Sequence, residues 1–308
     1  RMRRISVQID TGWQDQTVEQ YLKKELQLTA AQIRSLKFLS DGIRKNGMAC
    51  KVVDRLQKGD WLDIPLPEKK ADARKVEPSG VMPEILYSDR DVICVWKPSG
   101  RVTHPVAGHR ADNVTGDLIT YLQSQGLQET VHSIGRLDKD TAGILVFARH
   151  RIAAARLWQQ REDGRFIKEY LAWCEGVFPK EAQWQEQELS APLEKVPEVP
   201  GQGQKMQVTP IGSPAVTYYQ VIRQEKEQAL VRLHLKTGRT HQIRVHMAYI
   251  GHPLVGDSLY GHGIPHQDAA MLCAWKVRFY QPFTKEEIVL EHRDPVYSVQ
   301  DVEGDQVS

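Results

Sequence analysis

The chain has 308 residues, of which 41% are hydrophobic and 26% are charged. This composition is typical of a globular protein with a buried core and excludes a fibrous or disordered chain. The formal net charge of +2 is too small to indicate a nucleic-acid partner by itself. The first 70 residues nevertheless carry 14 Lys and Arg against 9 Asp and Glu, so the basic excess lies in the first quarter of the chain.

Signals for a membrane, a metal or a cofactor are missing from the sequence. No apolar run is long enough to span a bilayer, and the basic start lacks the apolar stretch of a signal peptide. No C-x-x-C pair and no nucleotide-binding glycine motif is present, and the four cysteines are scattered: Cys50, Cys94, Cys174 and Cys273. We therefore expect a cytoplasmic protein that needs no membrane, metal or cofactor, and we expect a monomer.

The first predicted elements are two short helices set between short strands. Residues 5–9 alternate like a strand, and Thr17 and Thr29 are suited to cap two helices. Residues 41–47 and 56–64 have the signatures of a hairpin and a further strand.

This order of elements resembles an S4-type RNA-binding domain over residues 6–66. The resemblance implies contacts to RNA phosphates through five basic residues: Arg34, Lys37, Arg44, Lys45 and Lys51. A small helical module with an ordinary basic surface is the alternative, because spaced Lys and Arg are a weak signal. We predict the S4-like domain at residues 1–67, a linker at 68–83 and a second domain at 84–308.

The second domain is predicted to combine strands with three helices. Strands are expected at residues 85–87, 92–96, 144–148, 166–174 and 231–235, and helices at 116–127, 152–161 and 241–250. The run from Ala191 to Pro214 is rich in Pro and Gly, which predicts a long surface loop. The segment 144–148 is apolar enough to be a buried strand, so the polar residues before it would be held at the edge of a rigid sheet.

Four polar motifs lie between or at the ends of these elements. They are Lys97-Pro98-Ser99-Gly100 with His104, Gly135-Arg136-Leu137-Asp138, Lys168-Glu169-Tyr170, and the run from Leu235 to His246. In this order and spacing they resemble the RluA/RluD class of pseudouridine synthases, and the resemblance extends over residues 84–292. Ala142 departs from the serine of many members. We therefore expect an α+β catalytic domain with a mostly antiparallel mixed sheet flanked by helices, plus the small N-terminal α/β domain.

The resemblance implies an isomerase that converts uridine in RNA to pseudouridine without a cofactor. In that reaction the bond from uracil N1 to the ribose breaks, the ring turns, and C5 is joined to the ribose instead. Asp138 would be the reacting carboxylate, and Arg244 the cation that binds it through two hydrogen bonds. Arg136 would fill the space left by the flipped base, and Tyr170 would stack on the uracil and offer its hydroxyl as a proton acceptor.

Other interpretations of the same residues stand beside these roles. His104 and Arg239 complete the predicted substrate-binding set, although a packing histidine and a solvated strand edge would explain them as well. Without the resemblance, Arg136 and Asp138 would indicate a surface ion pair, and Tyr170 a core residue.

Large-subunit ribosomal RNA is the expected substrate, because an S4-like module favours a structured RNA, and transfer RNA is the alternative. Two further classes of function stay open. One is a noncatalytic RNA-binding or ribosome-assembly protein. The other is an aspartate-dependent hydrolase of glycosidic bonds, which would ordinarily require two working carboxylates.

Overall fold

The computed structural model describes residues 3–66, 76–201, 203–267 and 269–297. The chain divides into two compact units, Arg1–Lys75 and Val76–Ser308. The domain boundaries predicted from the sequence stay a prediction, and residues 68–75 of the predicted linker lie outside the described residues. Within the described part of the chain, no helix is long and apolar enough to cross a membrane.

The first unit contains a four-stranded sheet and two helices. Its elements are β1 (Arg4–Gln8), α1 (Val18–Lys24), α2 (Ala30–Lys37), β2 (Arg44–Lys45), β3 (Met48–Ala49) and β4 (Trp61–Pro65), with the strands in the order β1-β4-β2-β3. Thr17 and Thr29 cap the two helices as predicted, each in a capping box with the glutamine three residues later. Asn46 and Gly47 have φ values of 52° and 79°, which suit the two-residue turn of the predicted hairpin.

The second unit is built on a ten-stranded sheet with three helices. Its elements are β5 (Glu84–Ser88), β6 (Val92–Lys97), α3 (Val114–Ser124), β7 (His132–Ser133), β8 (Ala142–Ala148), α4 (Arg151–Glu162), β9 (Ile167–Glu175), β10 (Gln187–Ser190), β11 (Leu193–Lys195), β12 (Met206–Val208), β13 (Val216–Glu225), β14 (Gln228–Leu235), α5 (Gln242–Tyr249), β15 (Leu272–Tyr280) and β16 (Glu287–Glu291). The sheet order is β10-β13-β14-β9-β15-β8-β6-β5, with β16 on β15 and β7 on β8. This architecture confirms the predicted α+β fold.

Strand β8 is buried on both faces because helices cover each side of it. Val146 lies in a core cluster with Leu157 of α4, whereas Phe147 lies in a different cluster with Leu118 of α3. Since neighbouring strand residues point to opposite faces, α3 and α4 lie on opposite sides of the sheet. The predicted buried strand at 144–148 is therefore confirmed, and the segment before it starts from a fixed edge.

The pairing between β8 and β15 is parallel, whereas the other strand pairs of the described residues are antiparallel. It consists of two residue pairs, Cys273 with Ala142 and Ala274 with Gly143. A Cβ atom on Gly143 would lie 2.4 Å from the Cβ atom of Ala274, so the two strands approach closely there. This short seam joins the β5-β6-β8 part of the sheet to the β9-β14-β13-β10 part.

The sequence predicts a long surface loop from Ala191 to Pro214. This prediction is wrong in part, because the segment contains a small hairpin. Strands β11 and β12 pair antiparallel within it. Leu193 is only 2% exposed and packs with Val245 of α5. Burial of apolar side chains therefore stabilises strands that the Pro and Gly content did not indicate.

Candidate active site

The turn that carries Asp138 is fixed in front of β8. The amide of Thr141 donates to the carbonyl of Asp138 (N···O 3.0 Å), which closes the turn. Leu137 is buried, and its carbonyl accepts a hydrogen bond from the Thr103 hydroxyl (3.2 Å). Because Leu137 packs into the core, its neighbours Arg136 and Asp138 are left to line a cleft beside the sheet.

A buried lysine ties the preceding loop to this turn. The side chain of Lys97 has no exposed surface, and its ammonium group donates to three backbone carbonyls, those of Pro98 (3.1 Å), Arg101 (2.6 Å) and Lys139 (2.8 Å). Burial lowers the pKa of Lys97 to about 8, although the charges of Asp140 and Asp138 oppose the shift. The protonated lysine thus holds the turn one residue after Asp138, and the amide of Gly100 adds a bond to the same Lys139 carbonyl (2.8 Å).

The cleft has a volume of about 1210 Å³. It brings together all six side chains predicted to act in catalysis or substrate binding: His104, Arg136, Asp138, Tyr170, Arg239 and Arg244. Five further cations line it, namely Arg161, Lys168, Lys236, Lys276 and Arg278. Eight Lys and Arg thus face four carboxylates, a balance that favours a polyanionic ligand.

Tyr170 lies on β9 at the border of two core clusters and lines the cleft. Burial raises the pKa of its hydroxyl, and the negative charge of Asp138 raises it further. The phenol therefore keeps its proton at neutral pH. Tyr170 thus lies in the cleft within the electrostatic influence of Asp138, and its two predicted roles stay predictions.

The predicted two-hydrogen-bond partner of Arg244 requires a correction. The guanidinium group binds Asp257, with Nε at 2.9 Å from Oδ2 and Nη2 at 2.8 Å from Oδ1. Asp257 has no exposed surface, so its charge needs this partner, and it also accepts from the amides of Leu259 (3.0 Å) and Tyr260 (3.1 Å). Burial acts to lower the pKa of Arg244, whereas the ion pair with Asp257 raises it. The negative charge of Asp138 also raises this pKa, but by less than Asp257 does.

Two histidines near Asp138 are neutral at pH 7. The hydroxyl of Thr115 donates to the Thr103 carbonyl (2.8 Å), so Nδ1 of His104 is the donor in its bond to that hydroxyl (3.0 Å). Burial and the charge of Arg136 lower the pKa of His104. Burial also lowers the pKa of His241, whose Nδ1 lies 2.7 Å from the hydroxyl of Tyr260, and Asp138 opposes that shift.

The remaining predicted cations lie on the surface. Arg239 is exposed at the cleft, and its Nε donates to the Pro214 carbonyl (3.1 Å). In the first unit, four of the five predicted RNA-binding residues are exposed: Arg34, Lys37, Arg44 and Lys51. Lys45 is half-buried, and its ammonium group donates to the Arg55 carbonyl (3.1 Å). Arg44 forms an ion pair with Asp41, so part of its charge is already compensated.

Sequence reasoning missed three residues that shape the cleft. Lys97 and Lys168 belong to motifs that the sequence picks out, but their roles depend on burial that the motifs do not reveal. Asp257 follows α5 within the residues that the resemblance covers, where nothing marks it as the partner of Arg244. Lys168 had a usable signal, because it is two residues before Tyr170 on a strand and therefore shares its face.

The architecture of the second unit is the fold of pseudouridine synthases. The solved structure of human RNA pseudouridylate synthase domain containing 1 superposes with a TM-score of 0.55 at 24% identity, over 74% of this chain and 90% of that chain. The human domain containing 4 gives a TM-score of 0.54 at 23% identity, over 71% of this chain and 93% of that chain. At these identities the likeness concerns the fold alone.

Sequence comparison extends this likeness to the family. The model of the RNA pseudouridylate synthase family matches residues 91–249, about half of the chain. The uncharacterised RNA pseudouridine synthase YjbO of Bacillus subtilis is 34% identical over 273 residues, 88% of this chain and 93% of that protein. Ribosomal large subunit pseudouridine synthase D of Escherichia coli K12 is 35% identical over 224 residues, 72% of this chain and 66% of that protein. The chain belongs to the RNA pseudouridylate synthase family, and it is an isomerase with pseudouridine synthase activity on RNA.

Proposed function

We propose that the protein isomerises uridines of large-subunit ribosomal RNA, with Asp138 as the reacting carboxylate. The observation that carries the proposal is that Asp138 lies in a cleft lined by eight Lys and Arg and, among the described residues, is not paired with any of them. No ion pair joins its carboxylate to any cation of the described residues, so its oxygens are available to a substrate. A carboxylate of this kind is a suitable nucleophile or charge stabiliser when the glycosidic bond breaks.

Tyr170 supplies the proton step in this proposal. Forming the new C5–C1′ bond requires that C5 lose a proton and that N1 gain one. While Asp138 is charged, it raises the pKa of the Tyr170 hydroxyl and keeps the phenol protonated. When the carboxylate is consumed in a bond, that charge disappears and the pKa of the hydroxyl falls, so Tyr170 gives its proton to N1 and the resulting phenolate takes the proton from C5.

Arg136 acts on the RNA and not on the reacting atoms. A uridine must leave its stack to reach Asp138, which costs a few kcal/mol. Arg136 is exposed in the cleft two residues before Asp138, where its guanidinium group is able to occupy the vacated space and contact phosphate. His104 and Arg239 border the same cleft and bind the extruded nucleotide and its backbone.

Two lines of support favour ribosomal RNA. The relatives include proteins named ribosomal large subunit pseudouridine synthase D from several bacteria, at about 35% identity. The first unit, with exposed Arg34 and Lys37 on α2, is proposed to act as an S4-like RNA-binding domain. A cytoplasmic monomer is the form proposed for this enzyme.

The test uses unmodified transcripts of ribosomal and transfer RNA and chemical mapping of pseudouridine. Wild-type protein is expected to modify large-subunit RNA, and Asp138→Asn to modify nothing. Modification of transfer RNA alone would overturn the assignment of ribosomal RNA as the substrate. Identical maps from wild type and Asp138→Asn would overturn the role of Asp138, and free uracil among the products would indicate a hydrolase.

A further inference from the structure

Trp158 and Arg161 form an exposed pair on the rim of the cleft. They are three residues apart on α4, and the Cζ atom of Arg161 lies 4.9 Å from the centre of the Trp158 ring. Trp158 is 43% exposed, and both side chains line the cleft that holds Asp138. The core face of α4 is made by other residues, among them Ile152 and Leu157. The packing of α4 against the core therefore does not depend on this pair.

Arg161 reaches from α4 to the two loops that carry the site. A Cβ atom on Gly135 would lie 2.6 Å from Nη1 of Arg161, and a Cβ atom on Gly238 would lie 3.7 Å from Nη2. Gly135 precedes Arg136, and Gly238 precedes Arg239. The guanidinium group thus lies between the turn of the reacting carboxylate and the loop of a second cation.

The positive charge of Arg161 is not compensated by the protein. No carboxylate of the described residues forms an ion pair with it, whereas nearby Arg165 is paired with Asp163 (2.8 Å). Burial lowers the pKa of Lys168 to about 7, and repulsion by Arg161 contributes to that shift. An exposed guanidinium group without an ion-pair partner among the described residues, which also disfavours charge on a neighbouring lysine of the cleft, favours an anion as its ligand.

We propose that Trp158 and Arg161 form a nucleotide subsite, in which Arg161 binds a phosphate next to the target uridine and Trp158 stacks on a neighbouring base. The inference rests on the proposed function, because it takes RNA as the ligand of this cleft. An exposed indole ring offers a stacking face to any base, and a guanidinium group binds phosphate oxygens through two hydrogen bonds. Stacking of Arg161 on Trp158 orients both groups before RNA arrives.

The test compares RNA affinity in an Asp138→Asn background, so that binding is measured without turnover. Arg161→Gln is expected to weaken binding about tenfold and to lower the slope of log affinity against log salt by about one. Trp158→Ala is expected to weaken binding about tenfold, and Trp158→Phe to restore most of it. The controls are Arg165→Gln and Tyr249→Ala, which remove an exposed cation and an exposed aromatic ring outside the cleft and should stay within twofold of the parent.

Two RNA ligands separate the outcomes. The first is whichever transcript the wild-type enzyme modifies, and the second is a single-stranded oligouridylate, which needs no known target. If transfer RNA proves to be the substrate, the ribosomal assignment fails, while the affinity ratios on transfer RNA still decide the subsite. If Arg161→Gln and Trp158→Ala bind both ligands as tightly as the parent does, the proposed subsite is overturned. The same two substitutions are also made with Asp138 intact. There, a fall only in the single-turnover rate at saturating RNA, with a lower melting temperature, would also overturn the subsite, because that result indicates a positioning role for the loops.

Discussion

Arg244 binds Asp257, not Asp138, and the two hydrogen bonds of 2.9 and 2.8 Å fix its guanidinium group at the edge of the cleft. Arg244 therefore acts on Asp138, the proposed reacting carboxylate, as an oriented charge, and it forms no hydrogen bond with Asp138 in the part of the chain that the structure describes. The buried partner, more than the arginine itself, decides where this charge is held.

We expect Asp257→Asn to lower both stability and activity. The change leaves a mostly buried guanidinium group without its counter-charge, which costs about 3 kcal/mol in the free energy of unfolding. Urea unfolding and single-turnover pseudouridine formation measure the two effects. Glu198→Gln breaks the exposed ion pair with Lys195 and serves as the control, which should leave both unchanged. An Asp257→Asn enzyme with normal stability and rate would show that Asp257 does not hold Arg244 in solution.

Replacing Lys97 by Met should loosen the turn of Asp138. Three backbone carbonyls lose a hydrogen bond from a buried ammonium group, which costs about 2–4 kcal/mol in unfolding free energy. The turn keeps the Gly100 bond to the Lys139 carbonyl but loses the bond from Lys97, so the rate at saturating RNA should fall at least tenfold while RNA affinity changes little. The exposed Lys180→Met is the matched control. Equal losses of affinity and rate would point to a direct contact of Lys97 with RNA.

The lowered pKa of Lys168 predicts that the free energy of unfolding depends on pH. Its pKa is about 7 in the folded protein, because of burial and the charge of Arg161, against an ordinary value of 10.5. Between these values the unfolded lysine holds a proton and the folded one does not, so the unfolding free energy from this group rises with pH, by at most about 1.4 kcal/mol per unit. Urea unfolding from pH 6 to 9 should show a smaller rise for Lys168→Met than for wild type. Parallel curves would contradict the lowered pKa.

Tyr170→Phe should separate stacking from proton transfer. The ring stays in place, so RNA affinity is expected within twofold of wild type. The hydroxyl is lost, so the rate should fall by about a hundredfold or more. Tyr170→Ala should lose affinity as well, because it removes the stacking face. A fully active phenylalanine variant would assign the proton step to another group.

The first unit can be tested by charge reversal on α2. The Arg34→Glu/Lys37→Glu variant is expected to weaken binding of ribosomal RNA and to lower the salt slope by about two, since two phosphate contacts are lost. Lys58→Glu changes another exposed lysine of the same unit and is the control. A salt slope equal to that of wild type would count against an S4-like role.

Local signals predicted much of this fold. Thr17 and Thr29 cap helices because the glutamine three residues later completes each capping box, and this pattern needs no distant partner. The residues 144–148 are buried from both sides, which their apolar character alone indicates. The predicted catalytic and substrate-binding residues meet in one cleft because their motifs lie near the ends of strands of one sheet.

Long-range contacts were not predictable from the same signals. Arg244 and Asp257 are separated by the end of α5 and a turn, and no local pattern links them. The hairpin of β11 and β12 depends on packing of Leu193 against Val245 on another element. The burial of Lys97 likewise requires β6 and the turn after Asp138 to be side by side.

The close approach of Gly143 to Ala274 has a consequence for the whole enzyme. Asp138 and Lys97 belong to one side of the β8–β15 seam, whereas Tyr170 on β9 and Arg244 on α5 belong to the other. Neither part of the sheet contains all of the proposed reacting groups, so under the proposed mechanism activity requires that the two parts be correctly aligned. A methyl group at position 143 would push β8 and β15 apart. The side chains of the site would be unchanged, so the loss of activity would measure how far the two parts of the sheet are misaligned.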